Sequence, residues 1–208
     1  MNIVISSGHG KLIRGASGYL DEVDEARKVV NKVAERMKQY GVNATVFHDD
    51  VSTSQNENLN RIVDFHNSKA REFDVSVHFN AYETTGSPMG TECLYVTQDA
   101  LAGKMADAIA KASGLKNRGP KKRTDLFFLN NTDEKSILIE VCFVDSSADA
   151  GIYNAHLDPI CEAICQAISG KSSGATTPPP TQPPPTSAVK PTVTVVIDPP
   201  NSVNLIVK

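Results

Sequence analysis

Short apolar runs rich in β-branched residues alternate with longer segments of helical periodicity from the start of the chain to about residue 170. The strand-like runs lie at residues 3–6, 44–47, 75–79, 92–96 and 137–144. Because regular strand–helix alternation is typical of α/β proteins, the pattern predicts a layered α/β fold with a mostly parallel sheet. In such sheets, sites form at the carboxyl ends of the strands, where loops lead into helices.

Composition excludes several classes of partner. The chain has 208 residues and a formal net charge of -3, so no broad cationic surface is expected for nucleic acid or anionic lipid. No apolar run approaches the roughly 18 residues that a membrane span needs. Residues 1–7 lack both a basic n-region and a signal-peptide h-region, so we expect synthesis in the cytoplasm without a secretory address.

The composition changes abruptly after Gly170. We predict a catalytic domain at residues 1–170 and a linker rich in proline, threonine and serine at residues 171–191. Residues 192–208 have the pattern strand, turn, strand, and a lone hairpin of that length is marginal in water. We interpret this segment as the truncated start of a second module; the alternative is a short segment that docks elsewhere.

Two histidines occupy matching positions at the ends of two predicted strands. His9 follows the first strand, between two glycines, and His78 ends the strand at 75–79. If these strands are parallel neighbours, both imidazoles project over one edge of the sheet, within reach of one ion. The alternative for each is a core histidine whose ring is bonded to a backbone carbonyl. A phosphate loop is excluded, because Gly8-His9-Gly10-Lys11 lacks the spacing and the trailing Ser or Thr.

Glu22 begins the first long helix and shares a face with Val29 and Val33. A carboxylate on a buried helix face needs a partner, because burying an unpaired charge is costly. The alternative is that Glu22 only complements the helix dipole. Asp21 and Glu25 are close rivals for any ligand role.

Glu140 interrupts the apolar run at 137–144, which otherwise has the pattern of a buried central strand. An unpaired ionised carboxylate there would cost several kcal/mol, so it must be paired, neutral or beside a cation. A structural ion pair is the alternative to a functional role.

The four residues suit a zinc hydrolase. Two histidines and one glutamate can bind the metal, and the second glutamate remains available for proton transfer. Two imidazoles and one carboxylate form a typical ligand set for Zn²⁺, with the fourth position open to water. Zinc lowers the pKa of that water toward about 7, and the remaining carboxylate can take its proton and return it to a leaving amine.

These residues resemble a known family, and the resemblance spans roughly residues 1–169. The chain resembles the zinc-dependent N-acetylmuramoyl-L-alanine amidases of bacterial autolysins and phage endolysins. It has Ser6-Ser7 where many members carry Asp-Pro. The motifs that carry the resemblance are Ser7-Gly8-His9-Gly10, Gly15-Ala16 with the Glu22 helix, Ser76-Val77-His78-Phe79-Asn80-Ala81, Gly90-Thr91-Glu92, Asn117-Arg118-Gly119 and the strand at 138–144.

The resemblance implies that His9, Glu22 and His78 hold zinc and that Glu140 is the catalytic acid and base. It also implies a three-layer fold, with a twisted, mostly parallel sheet between helices. The expected reaction is hydrolysis of the amide that joins the lactyl group of N-acetylmuramic acid to L-alanine of the stem peptide, with peptidoglycan as the partner. Two further residues, Asn80 and Arg118, fall in family motifs near the cleft, and we predict that they position the substrate.

Two other functions remain open from the sequence. One is a zinc carboxypeptidase-like peptidase, in which Arg14 or Arg118 would capture a terminal carboxylate. The other is an inactive cell-wall-binding or regulatory domain, although all four site residues are retained. For the amidase, we expect access to the wall through holes in the membrane or after cell lysis, as for a phage endolysin or a mother-cell autolysin.

Overall fold

The computed structural model describes residues 1–172 and the backbone of two later strands. The chain divides into two compact units, Met1–Ser173 and Gly174–Lys208. The strands of the first unit are β1 (Asn2–Ser7), β2 (Asn43–Phe47), β3 (Phe73–Asn80), β4 (Thr91–Tyr95), β5 (Asn117–Lys122) and β6 (Ser136–Phe143). Its helices are α1 (Glu22–Met37), α2 (Gln55–Asn67), α3 (Asp99–Ser113), α4 (Phe127–Asn131) and α5 (Ser147–Ser169), with a 3-10 turn at Lys38–Tyr40.

The six strands form one sheet in the order β2-β1-β3-β6-β4-β5. The strands β2, β1, β3 and β6 are parallel, β4 runs antiparallel to β6, and β5 is parallel to β4. One core cluster joins α1, α3 and α5 to the sheet, and a second joins α2 and α4 to Leu94 and Leu138. Helices therefore cover both faces of a mostly parallel sheet, which confirms the predicted three-layer α/β fold.

Capping side chains set where the helices begin. Asp21 accepts a hydrogen bond from the backbone N–H of Asp24 and caps α1, and Ser146 caps α5 in the same way. Because Asp21 is the cap, Glu22 is the first residue of α1 and its side chain lies at the helix entrance. No helix among the described residues is long and apolar enough to cross a membrane.

The second unit contains two antiparallel strands, β7 (Val193–Asp198) and β8 (Ser202–Val207). Most of the predicted linker at 171–191 lies outside the described residues. The division of the chain into a catalytic domain, a linker and a truncated module stays a prediction.

Two consecutive serines at the end of β1 each contact a histidine. Ser6 Oγ lies 2.9 Å from His66 Nε2, and His66 Nδ1 lies 2.8 Å from Asp74 Oδ1. Ser7 Oγ lies 3.0 Å from His48 Nδ1. Because successive strand residues point to opposite faces of a sheet, the end of β1 is fixed from both sides.

We expect His48 to make the domain sensitive to acid. Burial lowers the pKa of His48 to about 4, and the charge of Arg27 adds to this effect while Asp50 opposes it. The unfolded chain takes up a proton at His48 below pH of about 6.5, which the folded chain does not accept until about pH 4. The free energy of unfolding should therefore decrease as the pH is lowered from about 6.5 to about 4. This one group contributes a decrease of up to about 1.4 kcal/mol per pH unit.

Urea unfolding of the chelator-treated protein at pH 7.0 and pH 5.0 measures this effect. His48→Gln should lose less stability than the wild-type chain between these two pH values. An equal loss in the two proteins would show that His48 does not contribute.

Candidate active site

Neighbouring parallel strands bring the two predicted histidines to one edge of the sheet. β1 and β3 pair in parallel, with Ser7 opposite Val77. His9 therefore follows the end of β1 at the same level at which His78 projects from β3. This edge, at the carboxyl ends of the parallel strands, is where α/β sheets place their sites.

Glu22 lies between the two histidines. Its Oε1 atom is 3.0 Å from His78 Nδ1 and 3.4 Å from His9 Nε2. One donor atom from each of the three residues lies within 4.8 Å of the others. Zinc bonds of about 2.0–2.1 Å in a tetrahedral arrangement would separate ligand atoms by about 3.3 Å. The three side chains thus form a candidate metal site.

Backbone groups fix the Glu22 carboxylate in this position. Its Oε1 accepts a hydrogen bond from the N–H of Phe79 at 3.2 Å, and its Oε2 accepts one from the N–H of Ala16 at 2.8 Å. The rival carboxylates are engaged elsewhere, because Glu25 accepts from the hydroxyl of Tyr153 and Asp21 caps α1. The structure therefore brings Glu22 to the two histidines, and it brings neither Asp21 nor Glu25 there.

Glu140 lies beside this cluster. In the sheet it is directly opposite His78 on β3 and directly opposite Glu92 on β4. Its Oε2 atom is buried and has no hydrogen-bond partner among the described residues. A buried carboxyl oxygen without a partner, next to a candidate metal site, is a group available to a substrate or to water.

Comparison with known proteins identifies the family. Residues 3–170 match the family model of N-acetylmuramoyl-L-alanine amidases. The chain belongs to this amidase family. An N-acetylmuramoyl-L-alanine amidase of Nostoc punctiforme is 26% identical, with a TM-score of 0.68 over 81% of this chain and 94% of that one. The catalytic domain of an endolysin targeting Clostridia Difficile shares the fold, at 24% identity and a TM-score of 0.75 over 83% of this chain and 98% of that one.

A curated relative is longer than this chain. An uncharacterised 38.4 kDa protein of Clostridium perfringens is 30% identical over an alignment of 186 residues that covers 83% of this chain and 53% of the relative. A second protein from the same species matches at 31% identity over 82% of this chain and 52% of its own length. The chain thus spans about half the length of the curated relatives it matches, and the similarity lies mainly in the amidase domain.

Electrostatics in the amidase domain favour the cation-binding protonation state at His9 and Glu22 but favour the protonated form at His78. Burial lowers the pKa of His9, and the charge of His78 lowers it further. Burial acts to raise the pKa of Glu22, but the hydrogen bond to His78 and the charges of both histidines lower it overall. Burial acts to lower the pKa of His78, but Glu22 and Glu140 raise it overall. A neutral His9 and an ionised Glu22 are the forms that bind metal.

The pKa of Glu140 is raised toward neutral pH. Burial raises it to about 7, the charge of His78 opposes this shift, and the charges of Glu22 and Glu92 reinforce it. A carboxyl group with a pKa near the working pH can both accept and donate a proton.

Two glycines of the amidase domain lie against the candidate metal site. A Cβ atom at Gly15 would lie 2.5 Å from Glu22 Oε2 and 2.7 Å from His9 Cδ2, and the backbone there has a positive φ of 69°. A Cβ atom at Gly8 would lie 1.8 Å from His78 Nε2. Both positions therefore need glycine if the three donors are to stay together.

Gly15→Ala should weaken metal binding at least about tenfold, as the loss of a supporting contact around a metal typically does. The added methyl group would displace Glu22 or His9, and zinc titration against a competing indicator measures the loss. Gly114→Ala is the matched control, because Gly114 also has a positive φ but a Cβ there would meet nothing within 4 Å. Equal metal affinity in the two variants would contradict the assigned role of Gly15.

Glu92 lies in one of the motifs that carry the resemblance, but the sequence alone assigned it no role in the site. It is only 8% exposed, and it connects the two predicted substrate-positioning residues. Its Oε1 accepts a hydrogen bond from Asn80 Nδ2 at 3.1 Å, and its Oε2 accepts one from Arg118 Nε at 2.7 Å. A glutamate within the apolar run at 92–96 was the available signal, of the same kind that singled out Glu140.

A pocket of about 270 Å³ adjoins the pair formed by Glu92 and Arg118. Asn80 and Arg118 both line it, so the structure brings the two predicted positioning residues to one concave surface. The lining residues are Asn80, Ala81, Tyr82, Met89, Arg118 and Phe143.

Proposed function

We propose that the protein hydrolyses the amide between the lactyl group of N-acetylmuramic acid and L-alanine in peptidoglycan. In this proposal His9, Glu22 and His78 hold one Zn²⁺, and Glu140 is the general acid and base. The observation that carries it is the set of three donors within 4.8 Å of one another, with Glu140 directly opposite His78 in the sheet. Membership of the amidase family supports the choice of bond.

The donor set supports zinc as the cation. Two imidazoles and one carboxylate suit Zn²⁺ better than the all-oxygen sites that Mg²⁺ and Ca²⁺ prefer. Fewer than four protein ligands leave a position open for water or substrate, as in catalytic zinc sites. When bound, zinc supplies a Lewis acid that polarises the amide carbonyl and lowers the pKa of water toward about 7.

Glu140 handles the protons of the reaction in this proposal. Its buried Oε2, which has no partner within residues 1–172, accepts a proton from the attacking water. The protonated carboxyl group then donates that proton to the nitrogen of L-alanine as the C–N bond breaks. Burial raises the affinity of Glu140 for the proton in the interval between the two transfers, and the negative charges of Glu22 and Glu92 add to this effect.

Asn80 and Arg118 position the substrate in this proposal. Both line the pocket, to which β6, the strand of Glu140, contributes Phe143, and Glu92 orients both side chains through its two oxygens. Holding the stem peptide in this pocket would keep the scissile amide beside Glu140, and such positioning makes a large contribution to amide hydrolysis.

Two small substrates test the proposal against its rivals. The zinc-loaded protein is incubated with an N-acetylmuramoyl-peptide and with the same stem peptide lacking muramic acid. We expect release of a peptide that begins with L-alanine from the first and no cleavage of the second. Removal of a carboxyl-terminal residue from the free peptide would favour the carboxypeptidase-like function, and bound zinc without any cleavage would favour an inactive cell-wall-binding domain.

A further inference from the structure

Arg118 contacts three residues of the domain but keeps part of its hydrogen-bonding capacity unused. Its Nε donates to Glu92 Oε2 at 2.7 Å, and its guanidinium carbon lies 4.9 Å from the centre of the Phe143 ring. Its Nη1 lies 3.5 Å from the carbonyl oxygen of Met89. Within residues 1–172, Nη2 donates no hydrogen bond, and the side chain is 30% exposed.

The contact with Glu92 is not the arrangement of a purely structural ion pair. An arginine that only neutralises a carboxylate commonly uses two parallel N–H groups in a fork. Arg14 does so in this protein, where Nε and Nη2 bind the two oxygens of Asp21. Arg118 instead contributes only Nε to Glu92, so the Nη2 group is left for a second anionic or carbonyl oxygen.

A buried carboxylate anchors the surroundings of Arg118. Asp149 is fully buried and accepts hydrogen bonds from the N–H of Met89 at 3.0 Å and of Phe143 at 3.1 Å. Met89 and Phe143 both contact the guanidinium group of Arg118. The pocket around Arg118 is therefore preorganised, which reduces the entropy lost when a ligand binds.

The register of the sheet places Arg118 near the reacting bond. Glu92 on β4 lies opposite Glu140, and Arg118 lies on the neighbouring strand β5, between Asn117 and Pro120, which pair with β4. Two strand spacings amount to about 10 Å between backbones. An extended peptide advances by about 3.3–3.6 Å per residue, so the side chain of Arg118 can reach the first residues beyond the scissile amide.

We propose that Arg118 binds the α-carboxylate of the second residue of the stem peptide and so makes the enzyme prefer a free acid to an amide there. This inference rests on the proposed amidase function. The residue after L-alanine continues the stem through its γ-carboxyl group, which leaves its α-carboxyl group as either a carboxylate or a carboxamide. Arginine binds a carboxylate through charge-assisted hydrogen bonds between two opposite charges, whereas a carboxamide offers one neutral oxygen and an NH₂ group from which the guanidinium cannot accept.

The test compares two substrates that differ only at this group, N-acetylmuramoyl-L-alanyl-D-glutamate and N-acetylmuramoyl-L-alanyl-D-isoglutamine. For the zinc-loaded full chain we expect kcat/KM to be at least about tenfold higher for the carboxylate, mainly through a lower KM. Arg118→Gln should reduce this ratio to about one, and Arg118→Lys should retain part of it. Lys122→Gln is the control, because it removes an exposed cation from the same strand outside the pocket.

The outcomes separate this inference from the function on which it rests. Equal cleavage of the two substrates by the wild-type chain, or an unchanged ratio in Arg118→Gln, would overturn the role of Arg118 and leave the amidase function standing. A wild-type chain that cleaves neither substrate would overturn the amidase function and this inference with it. A changed ratio in Lys122→Gln would show that general charge, and not Arg118, sets the preference.

Discussion

Glu140→Gln is expected to lower kcat by about two to four orders of magnitude while the protein keeps its fold and one bound zinc. The substitution preserves the shape of a buried side chain but removes the group that accepts and returns the proton, and general acid–base catalysis contributes about 10²–10⁴-fold. Glu140 faces the metal site without being one of its three donors, so metal content should not change. Release of stem peptides from purified cell walls, together with elemental analysis, measures both quantities.

Glu25→Gln is the matched control for this variant. Glu25 is a partly buried glutamate of the same domain, but it bonds the hydroxyl of Tyr153 and not the metal site. Its activity should stay within a few-fold of the wild-type value. If Glu140→Gln retained more than about a tenth of the wild-type activity, Glu140 would not be the acid and base.

His78→Ala is expected to weaken zinc binding by more than about 100-fold. Even residues that only support a metal ligand contribute about 10–100-fold, and His78 supplies one of three protein donors. The same change deprives the buried Glu22 carboxylate of its 3.0 Å partner. Zinc remaining after dialysis against a weak chelator, measured by elemental analysis, gives the result directly, and His9→Ala should behave in the same way.

His156→Ala is the control for the loss of a histidine. His156 lies on α5, where its Nδ1 is 2.9 Å from the carbonyl oxygen of Ile152. This variant should bind zinc as the wild-type chain does. Stoichiometric zinc in His78→Ala would remove the basis of the ligand assignment.

The parts of the fold that were predictable are those whose burial leaves a periodic pattern. Five of the six sheet strands are recognisable in the sequence as apolar runs, because helices cover both faces of the sheet. β5 was missed, since it contains Gly119 and Pro120 and its lysines are exposed at the edge of the sheet. The five-residue α4 is too short for helical periodicity to emerge. The antiparallel direction of β4 leaves no trace in its own residue pattern.

The site was predictable to the extent that each residue broke a local pattern. His78 and Glu140 stood out within apolar strands, whereas Glu22 and Glu25 both fitted the first turn of α1. The choice between them depends on contacts that come from distant parts of the chain, the N–H groups of Ala16 and Phe79. The position of Glu92 in the site follows from the cross-strand register, because the pairing of β4 with β6 places Glu92 opposite Glu140.

The measurement that tests the central claim most directly is the appearance of new chain ends in purified peptidoglycan digested by the zinc-loaded protein. The zinc amidase account predicts new amino-terminal L-alanine, no new reducing sugars, loss of the activity on chelation and its recovery when Zn²⁺ is restored. New reducing sugars, or no new amino-terminal L-alanine from a protein that carries one zinc per chain, would contradict it.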